Sequence, residues 1–209
     1  MLKSIVPSLV ISLLLLSCLS AKHKKKDSLK NGIYAEITTE KGVIIAKLEY
    51  EKVPVTVANF IGLAQGIIPN DLKKLGEPYY DGLKFYKVFK DFMLMTGCPQ
   101  NDGRGQPGYY FRDEFHPDLK HNSPGVLSML SNGPNSNGSQ FIITMRPSVV
   151  LDNKNPVFGI VVKGMEVVNA VQQNETILKI EILKIGKKAN LFDPLKVFEK
   201  NGFKNIMKK

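Results

Sequence analysis

Sixteen residues, Ser128-Met-Leu-Ser-Asn-Gly-Pro-Asn-Ser-Asn-Gly-Ser-Gln-Phe-Ile-Ile143, constrain this chain more than any other stretch. Two apolar runs are joined there by nine residues drawn only from Ser, Asn, Gly and Pro. Such a linker cannot be helical. Gly and Pro interrupt it, and Asn and Ser compete for backbone hydrogen bonds. It reads as an ordered polar loop between two strands. Gln140 closes it, with its amide pointing outward from a strand that otherwise looks buried.

The flanking chain repeats the pattern of short strands and turns. Strand-like runs are expected at 33–39, 43–50, 83–89, 92–97, 125–130, 140–145, 157–162 and 176–185. Glu40-Lys41-Gly42 suits a hairpin between the first two. Pro54 opens a helix that ends near Gln65, with Gly66 as its stop. Val57, Phe60, Ile61 and Ala64 have helical spacing, so one face is expected to dock on a sheet. A second helix is expected over 164–173, and 193–200 suits a short appended one. Many short strands with two helices inside the domain argue for a mainly β fold, a closed eight-stranded antiparallel barrel capped by two helices.

The ends of the chain differ from its middle. Formal net charge is +10 over 209 residues, and Lys22, Lys24, Lys25, Lys26 and a lysine-rich C-terminus carry much of the excess. Such runs read first as solvated tails, with attraction to anionic lipid as the functional alternative. Nucleic acid is set aside as a partner, because no recognition motif accompanies the charge. Residues 5–16 are mostly apolar, long enough for a signal peptide and shorter than the ~20 residues a membrane span needs. The run stops at Leu15-Leu16-Ser17-Cys18, which resembles a bacterial lipobox. The expectation is a signal peptide over 1–17, lipidation of Cys18, a Lys-rich tether over 18–31, a globular domain over 32–186 and a basic extension over 187–209. Two acyl chains suffice for stable anchoring. Cys98 would then have no intramolecular partner and act as a small filler.

Five segments carry a family resemblance across residues 32–186. They are the 128–143 run, Val53-Pro-Val-Thr-Val-Ala-Asn-Phe60, Tyr80-Asp-Gly-Leu-Lys-Phe-Tyr-Lys87, Phe111-Arg-Asp-Glu-Phe-His-Pro-Asp-Leu-Lys-His121, and Val157-Phe-Gly159 with the later Gly164-Met. The chain resembles the cyclophilins, the peptidyl-prolyl isomerases. That resemblance implies a barrel with a groove for Xaa-Pro segments, acting without metal or cofactor. Matched by position, Phe92, Met93 and Leu151 fall on the proline pocket, Gln140 on a groove glutamine, and Ser131 and Asn132 on the loop that meets the peptide backbone. Five positions depart from the family. Lys87 replaces the catalytic arginine, Met95 a second glutamine, Ile142 a pocket phenylalanine, Val150 a rim tryptophan or phenylalanine, and Asn155 the groove histidine.

Together with the lipobox-like segment ending at Cys18, the resemblance leads to the expectation of a monomeric isomerase of the bacterial cell envelope, lipid-anchored to the inner or outer membrane and facing the periplasm or cell surface, that helps exported proteins fold. Lys87, Phe92 and Gln140 are its candidate catalytic residues. The altered groove implies reduced efficiency, and the alternative is a module that binds proline segments with little turnover. Other motifs are weaker. Gly103-Arg-Gly-Gln-Pro-Gly108 has dinucleotide spacing, but no strand precedes it and no helix follows. Three histidines are too few for a zinc site, and no Ser/His/Asp arrangement is suggested by chain order.

Overall fold

Thr39 makes the first reversal. Its hydroxyl accepts from the Lys41 amide at 3.1 Å and donates to the Gly42 carbonyl at 3.1 Å, so β1 (Gly32–Thr39) returns as β2 (Gly42–Leu48). The computed structural model describes residues 29–201. Cys18, the rest of the leader and most of the tether lie outside them. The remaining strands are β3 (Lys87–Phe89), β4 (Met93–Thr96), β5 (Val126–Met129), β6 (Phe141–Thr144), β7 (Val157–Lys163) and β8 (Ile177–Ile185). All pair antiparallel in one sheet of order β3-β4-β6-β5-β7-β2-β1-β8.

The sheet is not the closed barrel expected from the strand count. It curls into an open half-barrel with β3 and β8 as edges. The reason lies in the expected strand 83–89, which divides its bonds. Residues 87–89 pair with β4. Residues 82–85 lean the other way onto 174–177, through Phe85 N–H to the Glu175 carbonyl at 2.9 Å and Ile177 N–H to the Leu83 carbonyl at 2.8 Å. These bonds stitch the seam without a continuous ladder.

Helix α1 (Pro54–Ala64) cannot cap itself, because Val53 has no side-chain acceptor. Glu114 does so from a distant loop. Its carboxylate accepts from the Val55 and Thr56 amides at 3.2 and 2.8 Å and from the Thr56 hydroxyl at 2.9 Å. That satisfies free N–H groups and places negative charge at the positive helix end. Every residue from Thr56 to Ala64 is buried, more than the single face the spacing suggested. The inner side meets an aromatic core in which Phe60 lies 5.2 Å from Tyr80, 5.4 Å from Phe141 and 5.2 Å from Phe158.

The basic C-terminal stretch is docked as far as residue 200. After α2 (Met165–Ala170) and β8 come α3 (Lys187–Asn190) and α4 (Pro194–Lys200), and α4 packs on α1. Asp193 caps α4 by accepting from the Leu195 and Lys196 amides. Phe198 is fully buried, with its ring 5.8 Å from Tyr109. Phe192 meets Tyr50 at 5.3 Å, and Lys188 pairs with Glu51 at 2.8 Å.

Candidate functional site

Register assembles one face of the sheet. Lys87 stands opposite Met95, Met95 opposite Ile142, and Ile142 opposite Ser128. Residues directly paired across antiparallel strands project to the same face, so these four form one transverse row. At the usual strand spacing the row spans about 14 Å. Two residues along, Phe89, Met93 and Thr144 make a second row on that face. Lys87 is exposed, Met95 half-buried and Ile142 buried. Phe92, at the β3–β4 turn, is half-buried. The structure thus brings Lys87, Phe92, Met93, Met95 and Ile142 together.

Gln140 immediately precedes β6, two residues before Ile142, but its amide does not reach outward. It is only 1% exposed. Its Nε2 donates to the Gly103 and Gly105 carbonyls at 3.1 and 2.8 Å, and its Oε1 accepts from the Tyr86 hydroxyl at 2.6 Å. Burial pushes the Tyr86 hydroxyl above the ordinary tyrosine value, so it stays protonated and donates. Cys98 completes the loop. Its buried sulfur accepts from the Gly103 and Gly105 amides, each at 3.3 Å. The glycines of the dinucleotide-like spacing serve this turn. Tyr86 went unseen in the sequence because nothing there marks which tyrosine faces a buried glutamine.

The polar loop that follows β5 is anchored rather than loose. Tyr79 reaches Ser139 Oγ at 2.9 Å, Ser139 donates to the Gly97 carbonyl at 2.6 Å, and Asn59 on α1 donates to the Gly138 carbonyl at 2.8 Å. Gly97 has φ +81, and a Cβ there would collide with the Ser139 carbonyl, so only glycine permits this approach. Ser131 and Asn155 line a common cleft of about 330 Å³ with Asp113, Gly133, Asn153 and Lys154. Asn155 is buried and donates its amide to the Met129 carbonyl at 2.9 Å. Asn132 is exposed at the same turn, its backbone N–H donating to Ser136 Oγ at 3.0 Å.

The opposite rim is held by a Ser/His/Asp arrangement, contrary to the expectation from chain order. His121 Nδ1 lies 2.8 Å from Asp152 Oδ1, and its Nε2 lies 2.9 Å from Ser128 Oγ. The His121 amide also donates to Asp152, and its carbonyl accepts from the Ser148 amide. Burial lowers the His121 pKa more than the Asp152 contacts raise it. Burial would raise the Asp152 carboxyl, but the His121 backbone and ring bonds outweigh it and hold the value low. The pair is therefore neutral imidazole with carboxylate near pH 7. Ser128 and His121 are fully buried, so this is a brace and not a nucleophile. It fixes the 3-10 turn Val149–Leu151 beside the Ser128 end of the row. Leu151 is half-buried there, while Val150 is 62% exposed.

A family model for the cyclophilin type peptidyl-prolyl cis-trans isomerases matches residues 34–187. The chain belongs to that family. It is 41% identical over 147 residues to the mouse peptidyl-prolyl cis-trans isomerase-like 1, covering 69% of this chain and 81% of that protein. It is 40% identical over 156 residues to a probable peptidyl-prolyl cis-trans isomerase A of Mycobacterium leprae, covering 72% and 86%. A solved Cryptosporidium parvum cyclophilin superposes with a TM-score of 0.60 at 29% identity, covering 74% of this chain and 98% of that one. A second structure of that parasite protein, determined in the presence of the dipeptide Ala-Pro, gives 0.59 at 28% identity. This cyclophilin is accordingly a peptidyl-prolyl cis-trans isomerase. Of the positions expected to depart from the family, Lys87, Met95 and Ile142 fall in one cross-strand row, and Val150 stands on the exposed rim.

Proposed function

We propose that this cyclophilin is a lipid-anchored monomer of the bacterial cell envelope, tethered through Cys18, that turns Xaa-Pro bonds in exported proteins at reduced efficiency. The observation that carries the reading of its groove is the row Lys87–Met95–Ile142 beside Phe92 and Met93. Prolyl isomerisation crosses a barrier of ~18–20 kcal/mol by rotation about a partial double bond. No covalent bond is made or broken. Only interactions stronger in the twisted state than in either planar state accelerate it. In the twisted state the prolyl nitrogen is pyramidal and basic, so a cation aimed at it lowers the barrier. Met93, Ile142, Leu151 and Phe92 would grip the ring, Lys87 would donate to the nitrogen, and Ser131, Asn132 and Asn155 would align the flanking backbone. Gln140, already bonded on both sides of its amide, would act by holding Tyr86 and the 98–105 loop in place.

Lysine is a mobile point charge where the family's arginine is a planar fork. The replacement costs roughly 1.5–3 kcal/mol of transition-state stabilisation, the range for one charge-assisted hydrogen bond, or about one to two orders of magnitude in rate. Magnetisation-exchange NMR on Xaa-Pro peptides measures this directly. Catalysed exchange that disappears in Lys87→Ala and rises in Lys87→Arg supports the reading. Peptide binding with exchange at the uncatalysed rate would instead make the protein a proline-binding module, an alternative motivated by Met95 and the engaged Gln140. The anchor is checked separately by labelling with palmitate. Label that persists in Cys18→Ser would remove it.

A further inference from the structure

We infer that the groove selects proline segments carrying an acidic side chain next to the proline, with Arg146 as the determinant. The inference rests on the groove being the Xaa-Pro site. Beside Met93, the wall is an aromatic pair, Phe89 and Phe92, with ring centroids 6.5 Å apart. A cation lies against each ring. Lys87 Nζ is 5.3 Å from the Phe89 centroid, and the Arg146 guanidinium carbon is 5.0 Å from that of Phe92. Phe89 is 41% exposed, so the pair faces incoming chain rather than core. Among the described residues neither cation is ion-paired. At the turn between the two rings, Lys90 and Asp91 cancel.

Arg146 follows Thr144, which shares its row with Phe89 and Met93. It therefore lies at the end of the face away from the Lys87 row. A proline seated on Met93 and Phe92 puts the side chains of its immediate neighbours, each about 3.3–3.4 Å along an extended chain, beside that guanidinium. The aromatic ring holds the fork while leaving its N–H groups to bond a carboxylate in bidentate fashion. The same two cations repel lysine. An acidic neighbour should bind about three- to tenfold tighter than its amide isostere, the range for a partly desolvated ion pair.

The test uses the full-length chain and blocked peptides with Glu, Gln or Lys immediately before or immediately after proline. Titration gives Kd and exchange NMR gives the catalysed rate in the same samples. The order Glu, then Gln, then Lys is expected on at least one side of the proline, with the Glu advantage shrinking as salt rises. Arg146→Ala should bring Glu and Gln together, and Arg146→Glu should invert the order. Equal Kd for all three residues on both sides, or a Glu advantage that survives in Arg146→Ala, overturns the inference. If peptides bind in the expected order without catalysed exchange, the selectivity stands and only the isomerase mechanism fails. If no peptide binds, both fall.

Discussion

Lys87 and Gln140 are both expected to be catalytic, and they differ in how far their side chains are already engaged. Lys87 is exposed, with its Nζ over the Phe89 ring. Lys87→Arg is expected to raise kcat/KM by about 10- to 100-fold in a protease-coupled assay. A smaller gain would point to Met95 as the larger loss, and Lys87→Arg with Met95→Gln then separates the two. Gln140 is held on both sides of its amide. Tyr86→Phe removes the donor to its buried Oε1 and should cost about 1–3 kcal/mol of stability, read as a lower urea midpoint at unchanged m-value. An unchanged midpoint would mean that Gln140 finds another donor.

At the scale of elements, two distant side chains do work that local sequence leaves undone. Glu114 caps α1 where Val53 cannot. Glu114→Ala is expected to cost about 0.5–2 kcal/mol, measurable by chemical denaturation. His121 joins Ser148 and Asp152 of the rim turn to Ser128 on β5. Burial sets its folded pKa below the ordinary 6.5, so the unfolded chain binds more protons below that pH. Its contribution is complete above about pH 6.5 and is lost as pH falls through the folded value. Asp152, also held below its ordinary 3.8, contributes above that pH and loses its share in stronger acid. The urea midpoint should therefore decline from pH 7.5 toward 5, and His121→Gln should flatten that decline while lowering stability at neutral pH. A midpoint that is flat in the parent protein would refute the brace.

On the scale of the whole molecule, an open half-barrel leaves two edges, and its helical cover depends on the C-terminus. Phe198 is fully buried beside Tyr109, whose hydroxyl donates at 2.7 Å to Asn59, and Asn59 in turn holds the Gly138 carbonyl of the polar loop. The docked α4 is thus linked to the groove loop through α1. Phe198→Ala should cost about 3–5 kcal/mol, the range for emptying a buried aromatic site. Calorimetry would register it as a lower Tm. A loss below about 1 kcal/mol would mean that α4 is a surface ornament, as an exposed substitution would be.

Strand positions, the start of α1 and the family of this chain were legible in its residues, because apolar alternation, Gly and Pro punctuation and the 128–143 run are local signals. So were the row members Lys87, Met93, Met95 and Ile142, since motif position carries them. The open seam was not legible: residues 83–89 have strand composition throughout, and only the competition between β4 and 174–177 for their backbone bonds splits them. Nor were the Tyr86–Gln140 bond, the His121 brace, the Arg146–Phe92 contact or the docking of α4. Each joins residues far apart in the chain or depends on which way one side chain turns, and neither periodicity nor spacing records that. Local chemistry determined the elements and the residue types available to the groove. Tertiary packing decided which polar groups are already bonded and which remain to meet a substrate.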